Sequence, residues 1–267
     1  MKTSTEKLRL AEVLQNKAGN PSHMLSYLED AYPIPAQDPG HCLNTENAAN
    51  AYVMHDANTK DTSAVHLMIS PSCTGQDSVI DYLQEIPHPI EKVVTATTRI
   101  RRPGEDEAAY VWMERPKNLS AQEVIVHLMA RYDLVECQLF GDDYYGTPLG
   151  NLSEALRNPT GKPVVIKNDQ YGARAIKESA GNDLNIKTIA MLPENYRQLW
   201  ERLISLKRNN PIKRMTEAAI FMTQFEAVSD YVLLNRHHSD IRTGVERTAR
   251  GLIDILQYQP KEGESRE

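Results

Sequence analysis

No apolar run in this chain approaches the roughly 18 residues that a membrane-spanning helix needs, and a mean hydropathy of -0.51 agrees with that absence. Residues 1–15 hold neither an apolar signal core nor a small-residue cleavage site, so export is unsupported and a cytoplasmic location is expected. Cysteine is scarce. Cys42, Cys73 and Cys137 lie far apart without a C-x-x-C spacing, which excludes a disulfide framework and argues against a zinc site, so no protein-held metal is expected. A basic excess is also missing: 30 Lys and Arg face 36 Asp and Glu, a net charge of -6. Such a surface repels a phosphate backbone, so neither nucleic acid nor a membrane is an expected partner. Internal repeats and low-complexity tracts are absent as well.

What remains is the composition of an ordinary globular protein, 40% hydrophobic and 25% charged over 267 residues, enough for one large α/β domain with an appendage. In the first sixty residues Leu8, Leu10, Val13 and Leu14 suggest one amphipathic helix, and Met24, Leu25 and Leu28 a second, beginning at Pro21-Ser22. Pro33, Pro35, Pro39 and Gly40, then the polar residues 55–62, read as irregular structure and a linker. This extension either packs on the main domain or serves as an arm for a protein partner.

From residue 65 onward short apolar runs alternate with helical patterns, the signature of βαβ units around a parallel sheet. The runs predict strands at 65–70, 93–96, 164–168, 186–191 and 231–235. Helical spacing covers 76–84, 121–130, 149–157, 171–179, 194–206, 213–227 and 241–257. Residues 109–113 and 134–140 have strand character without a long helix for each pair, which predicts a small antiparallel insert.

After the first strand comes Ser70-Pro71-Ser72-Cys73-Thr74-Gly75-Gln76-Asp77-Ser78, where a phosphate loop would sit. Amides at such a helix start cradle phosphate, but the P-loop pattern also demands a lysine for the β- and γ-phosphates and a hydroxyl for magnesium. Here Ser70 replaces the first glycine, Gln76 the lysine and Asp77 the hydroxyl. The segment by itself reads as an ordinary strand-to-helix turn.

Four later blocks change that reading. The segment Thr95 to Glu105, with Thr97-Thr98-Arg99 and Arg102, resembles T-T-R-x-x-R-x-G-E of the guanylate kinases. Gly141 to Pro148, preceded by Glu136 and containing Tyr144-Tyr145-Gly146-Thr147, is similar to G-N-Y-Y-G-T. Asp169-Gln170-Tyr171-Gly172-Ala173-Arg174 resembles D-x-Q-G-A-R, and Asp230 to Asn235 resembles D-Y-V-V-V-N. The blocks follow family order and spacing over about 190 residues. The resemblance implies a P-loop nucleoside-monophosphate-kinase-like parallel sheet flanked by helices, with a small antiparallel GMP-binding insert. It places a helical or irregular extension at 1–61, the guanylate-kinase-like domain at 62–258 and a polar tail at 259–267.

The resemblance assigns Arg99, Arg102, Tyr110 and Tyr145 to the GMP phosphate, Glu136 with Thr95 and Thr147 to the base, and Asp169 to the centre between two nucleotides. Chemistry supports those roles: paired arginines fork onto a phosphate, and a carboxylate accepts from guanine N1–H and its amino group, which adenine cannot match. Each residue also has a plainer reading. The arginines suit a solvated loop, the tyrosines packing, Glu136 a surface acid and Asp169 a helix N-cap. Arg208 and Arg214 match the lid arginines, in a stretch several residues shorter than the family's, and His237 and His238 lie where the family meets adenine. Lys167 and Lys177 are candidate substitute cations, although both read as surface residues. Losing one preorganised charge in phosphoryl transfer typically costs about a hundredfold or more in rate. The expectation is a protein that binds GMP or a related guanine nucleotide with weak or no phosphoryl transfer. The alternatives are an active kinase using ATP and magnesium, with ATP the less favoured ligand here, and a scaffold that holds a phosphorylated peptide.

Overall fold

The computed structural model describes residues 4–34, 41–42, 51–53, 65–86, 90–157, 161–181, 184–236 and 238–257. The chain begins with helices α1 (Ser4–Lys17) and α2 (Pro21–Ala31) and short strands β1 (His41–Cys42) and β2 (Ala51–Val53). Next come β3 (Val65–Ile69), α3 (Gln76–Glu85), β4 (Glu91–Val93), β5 (Ala96–Thr97), β6 (Val111–Trp112) and α4 (Ala121–Tyr132). Then follow β7 (Leu134–Phe140), β8 (Asp143–Pro148), α5 (Leu149–Leu156), β9 (Val164–Asn168) and α6 (Gln170–Ala180). The last elements are β10 (Ile186–Pro193), α7 (Tyr196–Ser205), α8 (Pro211–Met222), β11 (Tyr231–Asn235) and α9 (Ile241–Gln257). The expected linker at 55–62 and tail at 259–267 lie outside the described residues, as does His237. Among the described residues no helix is long and apolar enough to cross a membrane.

The large sheet runs β1-β2-β11-β10-β3-β9-β4, with the five strands from β11 to β4 parallel and β1 and β2 antiparallel at one edge. Every residue of β3 and of β11 is buried, as expected of parallel strands covered on both faces. Alternation divides their side chains between two cores. Leu67, Ile69, Ala190, Leu192, Val232 and Leu234 meet α6, α7 and α8 on one side; Met68, Val165, Ile189, Met191 and Leu233 meet α3 and α9 on the other.

The first two helices belong to the first of those cores. Leu10, Leu14, Met24, Leu25 and Leu28 are buried with Leu199, Leu203, Met215 and Ala218 of α7 and α8. Asn20 caps α2 by accepting from the His23 amide, with Pro21 in the first turn, where its missing N–H is harmless. The Tyr196 hydroxyl donates to the Tyr32 carbonyl at 2.7 Å, and Lys7 Nζ to the Tyr171 hydroxyl at 2.8 Å, tying the hairpin to α7 and α6.

A second sheet, β6-β5-β8-β7, stands beside the first. Its β7–β8 and β5–β8 pairs are antiparallel and the short β5–β6 pair is parallel. The strand expected at 93–96 divides between the two sheets, ending β4 at Val93 and starting β5 at Ala96. The helix expected at 213–227 stops at Met222, because Thr223 and Gln224 turn the chain into a short 3-10 segment at Phe225–Ala227.

Because Leu28 is fully buried in the shared core, Leu28→Ala should lower unfolding free energy by about 2–5 kcal/mol in urea titration. Leu8→Ala on the outer face, where that leucine is 66% exposed, should change it by less than about 0.5 kcal/mol. Equal, small effects of both changes would mean that the hairpin does not unfold with the main core.

Candidate functional site

The turns that leave the carboxyl ends of the parallel strands converge on one cavity of about 700 Å³, where crevices in open α/β sheets form. The β3–α3 loop forms its floor. Cys73 and Gly75 have positive φ, and a Cβ on Gly75 would come 2.7 Å from Asn235 Nδ2, so that position has conformational and steric reasons to lack a side chain. Asn235 Nδ2 and Arg202 Nη1 both donate to the Thr74 carbonyl, at 2.5 and 2.8 Å, and Thr248 donates to Asn235 Oδ1 at 3.0 Å. The Thr74 hydroxyl donates to the Pro71 carbonyl at 2.8 Å. The loop is thus held in a cradle shape by three elements, although it lacks the lysine.

Gln76 does not reach into the cradle. Its Nε2 donates back to the Met68 carbonyl at 2.5 Å and its Oε1 accepts from Ser70 Oγ at 3.4 Å. The Asp77 carboxylate, at the amino end of α3, accepts from Lys167 Nζ at 2.5 Å. Lys167 also donates to the Tyr110 hydroxyl at 2.5 Å and stands 4.5 Å from that ring's centre. The expectation that Lys167 is a surface residue is therefore corrected: only 17% of its side chain is exposed, because β9 lies between β3 and β4 and points it into the cavity. Burial alone would lower its pKa, but Asp77 and Tyr110 outweigh it and hold the ammonium charged. Burial likewise pushes Asp77 up, and Lys167 overrides this to keep the carboxyl below its usual value. Lys177, by contrast, pairs with Asp230 at 3.0 Å, and the same carboxylate accepts from the Thr188 amide at 2.7 Å, which is a structural tie between α6 and the sheet.

On the other wall the second sheet presents Glu136. It is only 4% exposed, and its Oε1 accepts from Thr147 Oγ1 at 2.8 Å and from Asn168 Nδ2 at 3.4 Å. An added Cβ on Gly172 would collide with Asn168 Oδ1 and stand 2.9 Å from Glu136 Oε2, so the glycine leaves room for the acid. Burial raises the Glu136 carboxyl to about 7, with the Thr147 hydrogen bond opposing and the Asp169 charge adding to the rise. Thr147, its cross-strand partner, is buried, and the buried Thr95 lines the same cavity. The plain surface-acid reading does not hold for this residue.

Arg99 differs from the expected free fork. Its two terminal nitrogens donate to Glu105 at 2.6 and 3.0 Å, and its guanidinium stands 5.4 Å from the Tyr110 ring centre and 5.5 Å from that of Trp112. Hydrogen bonds from Arg99, with one from the Arg102 amide, hold the Glu105 carboxyl down at about 2. Arg102 is the exposed member of the pair; its main-chain amide donates to Glu105 Oε2 at 3.0 Å, while the Glu105 carboxylate is bridged to the Arg99 guanidinium. Burial and then the charges of Arg208 and Arg99 lower the Arg102 pKa, the mark of three guanidiniums crowded together. A cluster of guanidiniums raises the local positive potential of this wall. Tyr145 lines the same wall, its phenol pKa raised chiefly by burial.

Asp169 caps α6, accepting from the Tyr171 and Gly172 amides at 2.8 Å each, so the helix N-cap reading holds while the residue still lines the cavity. The short stretch between α7 and α8 does reach the cavity. Lys207 and Asn210 turn it sharply through positive φ, and Arg214 Nη1 donates to Ser72 Oγ at 2.6 Å. Its tip is latched to the β7–β8 turn, where Asn210 and Lys213 meet Asp142 at 3.1 and 3.2 Å. His238 also lines the cavity, and its Nδ1 accepts from the Asp240 amide at 3.1 Å. Ser78 lies exposed one residue beyond Asp77. Sequence reasoning missed Asn168, Arg202 and Thr248, which lie outside the blocks or were unremarked within them, and Asn235 and Glu105, which lie in blocks but were given no role there.

No family model matches the chain. The guanylate kinase of Rickettsia bellii is 30% identical over 152 residues, covering 57% of this chain and 74% of that protein. The guanylate kinase of Streptomyces kasugaensis is 28% identical over 199 residues, covering 73% of this chain and 88% of its own. The crystal structure of guanylate kinase from Anaplasma phagocytophilum shares the fold, with a TM-score of 0.51 at 24% identity over 72% of this chain and 84% of that one. A match of that extent to the rickettsial relative, along a chain whose arginine, tyrosine and glutamate segments all open onto one cavity, makes this protein a member of the guanylate kinase family.

Proposed function

We propose that the protein binds GMP or a closely related guanine nucleotide and transfers phosphate weakly or not at all. The observation that carries the acceptor half is Glu136, a carboxylate buried in the cavity wall with a hydroxyl and an amide already aimed at its Oε1. In this reading Glu136 accepts from the guanine N1–H and amino group, with Thr95 and Thr147 beside it. Arg102, Arg99, Tyr110 and Tyr145 receive the 5′-phosphate. Arg99 then acts through a guanidinium preset by Glu105, and Arg102 supplies the second guanidinium. Asp169 lies between the acceptor and donor halves.

The donor half supports little transfer. Transfer depends on charges already positioned around the moving phosphoryl group, and Gln76 directs its amide to Met68 while Asp77 adds a negative charge at the helix start. A magnesium–triphosphate also fits these residues poorly, because the only acid at the hydroxyl position is committed to an ammonium. One observation favours the active alternative: Arg214 already reaches Ser72 of the loop, so a guanidinium is present where donor phosphate would lie.

GMP at about a hundred times its dissociation constant should stabilise the protein by about 2.7 kcal/mol, read as a rise in melting temperature, and AMP should do much less. Glu136→Gln should weaken GMP by about 10- to 100-fold through the lost charge-assisted bonds. Equal shifts with GMP and AMP would remove the guanine-reading role. ADP formation from ATP should not exceed background when GMP is added; robust turnover would establish the active alternative.

Glu136 also predicts a pH dependence. The unfolded chain ionises it near 4.5 and the folded protein near 7, so between those values the folded state holds the extra proton and stability falls as pH rises, by about 3 kcal/mol in all. Urea titrations at pH 5 and pH 8 should show that loss, and Glu136→Gln should flatten it. GMP affinity should move the opposite way, tightening as pH rises through about 7 and the carboxylate forms, whereas Glu136→Gln shows only the titration of the nucleotide itself. A wild-type affinity profile that matches the variant's would refute the ionised-acid reading.

A further inference from the structure

Lys167 lies on the strand next to β3, in register with Met68, whose carbonyl holds the Gln76 side chain. The lysine therefore enters the cavity from the sheet beside the position that the P-loop pattern gives to its own lysine. Its ammonium joins the two halves of the site: one proton goes to Asp77 at the start of α3 and another to Tyr110 on the second sheet. An ammonium carries three donors. Asp77 is placed as a bound anion would be, at a helix amino end where the dipole favours negative charge. Lys92 and Arg102 add to the positive field that acts on this carboxylate. The two partners are unequally held, with 17% of the lysine side chain exposed against 63% of the aspartate's. The ammonium is the more enclosed partner and the carboxylate the more accessible one.

We infer that Lys167 is the phosphate-holding cation of the donor half, supplied by the sheet in place of the loop, and that Asp77 is its resident counter-ion, which an incoming polyphosphate must displace. Relative to the P-loop pattern the ammonium has moved from the loop to the strand, and an acid stands on the loop side where the pattern has a hydroxyl. Polyphosphate binding is weak in this arrangement because the carboxylate competes for the ammonium and repels the ligand. The inference rests on the donor-half reading above and replaces the missing lysine, Gln76, with Asp77 as the cause of weak ATP binding.

The test is calorimetric titration of ATP, with a chelator present, into the wild-type protein, Asp77→Asn, Lys167→Met and the double variant. Asp77→Asn should tighten ATP about tenfold, equivalent to about 1.4 kcal/mol, and Lys167→Met in that background should abolish the gain. Lys167→Arg in the same background should retain most of it, which guards against a fold lost through the methionine. No gain in Asp77→Asn would overturn the inference, as would a gain that survives Lys167→Met. Wild-type GMP binding, measured separately, decides the acceptor reading: a missing GMP shift beside a tenfold ATP gain would sink that reading alone.

Discussion

The burial of β3 on both faces governs the rest of this structure. A strand whose five side chains are all covered needs helices above and below it, and parallel neighbours supply them through right-handed crossovers. Because these strands are parallel, all their carboxyl ends, and so every strand-to-helix turn, lie at the same edge of the sheet. The β3–α3 loop, the Lys167–Asp169 strand end and Asn235 consequently meet at one cavity despite their separation along the chain. The amino-terminal hairpin answers the same constraint, since α7 and α8 present apolar surface that α1 and α2 cover.

Within the cavity the two walls are built differently. The wall with Glu136 places a buried acid, its pKa raised to about 7, in the same cavity as a cluster of guanidiniums, groups whose preferred ligands differ in kind. The loop floor keeps a cradle shape, held by Asn235 and Arg202 through the Thr74 carbonyl, while Asp77 and Lys167 are paired with each other. Shape and charge have thus separated: the Thr74 carbonyl at the centre of the loop is held by Asn235 and Arg202, which are not among the residues replaced.

Legibility in the sequence followed interaction range. Apolar runs of five residues and helical periodicity mark the parallel strands and their helices, because those patterns are imposed by local geometry. The exceptions were places where a contact from outside cut an element, as where the chain passes from the large sheet into the second between Val93 and Ala96. The arginine, tyrosine and glutamate positions were legible as chemistry and by family likeness. Arg99 and Glu105 sit six residues apart in one block, yet nothing in their types says that they neutralise each other.

The sequence by itself determined the fold class, the amphipathic faces of α1 and α2, and the fact that Gln76 and Asp77 stand where a lysine and a hydroxyl are expected. These depend on residue type and short-range periodicity. Only the tertiary structure decided that Lys167 is no surface residue. Its partners Asp77 and Tyr110 lie 90 and 57 residues away in the chain. The pKa of Glu136 was decided at the same level, because desolvation is a property of everything packed around a group and not of the group or its neighbours in sequence.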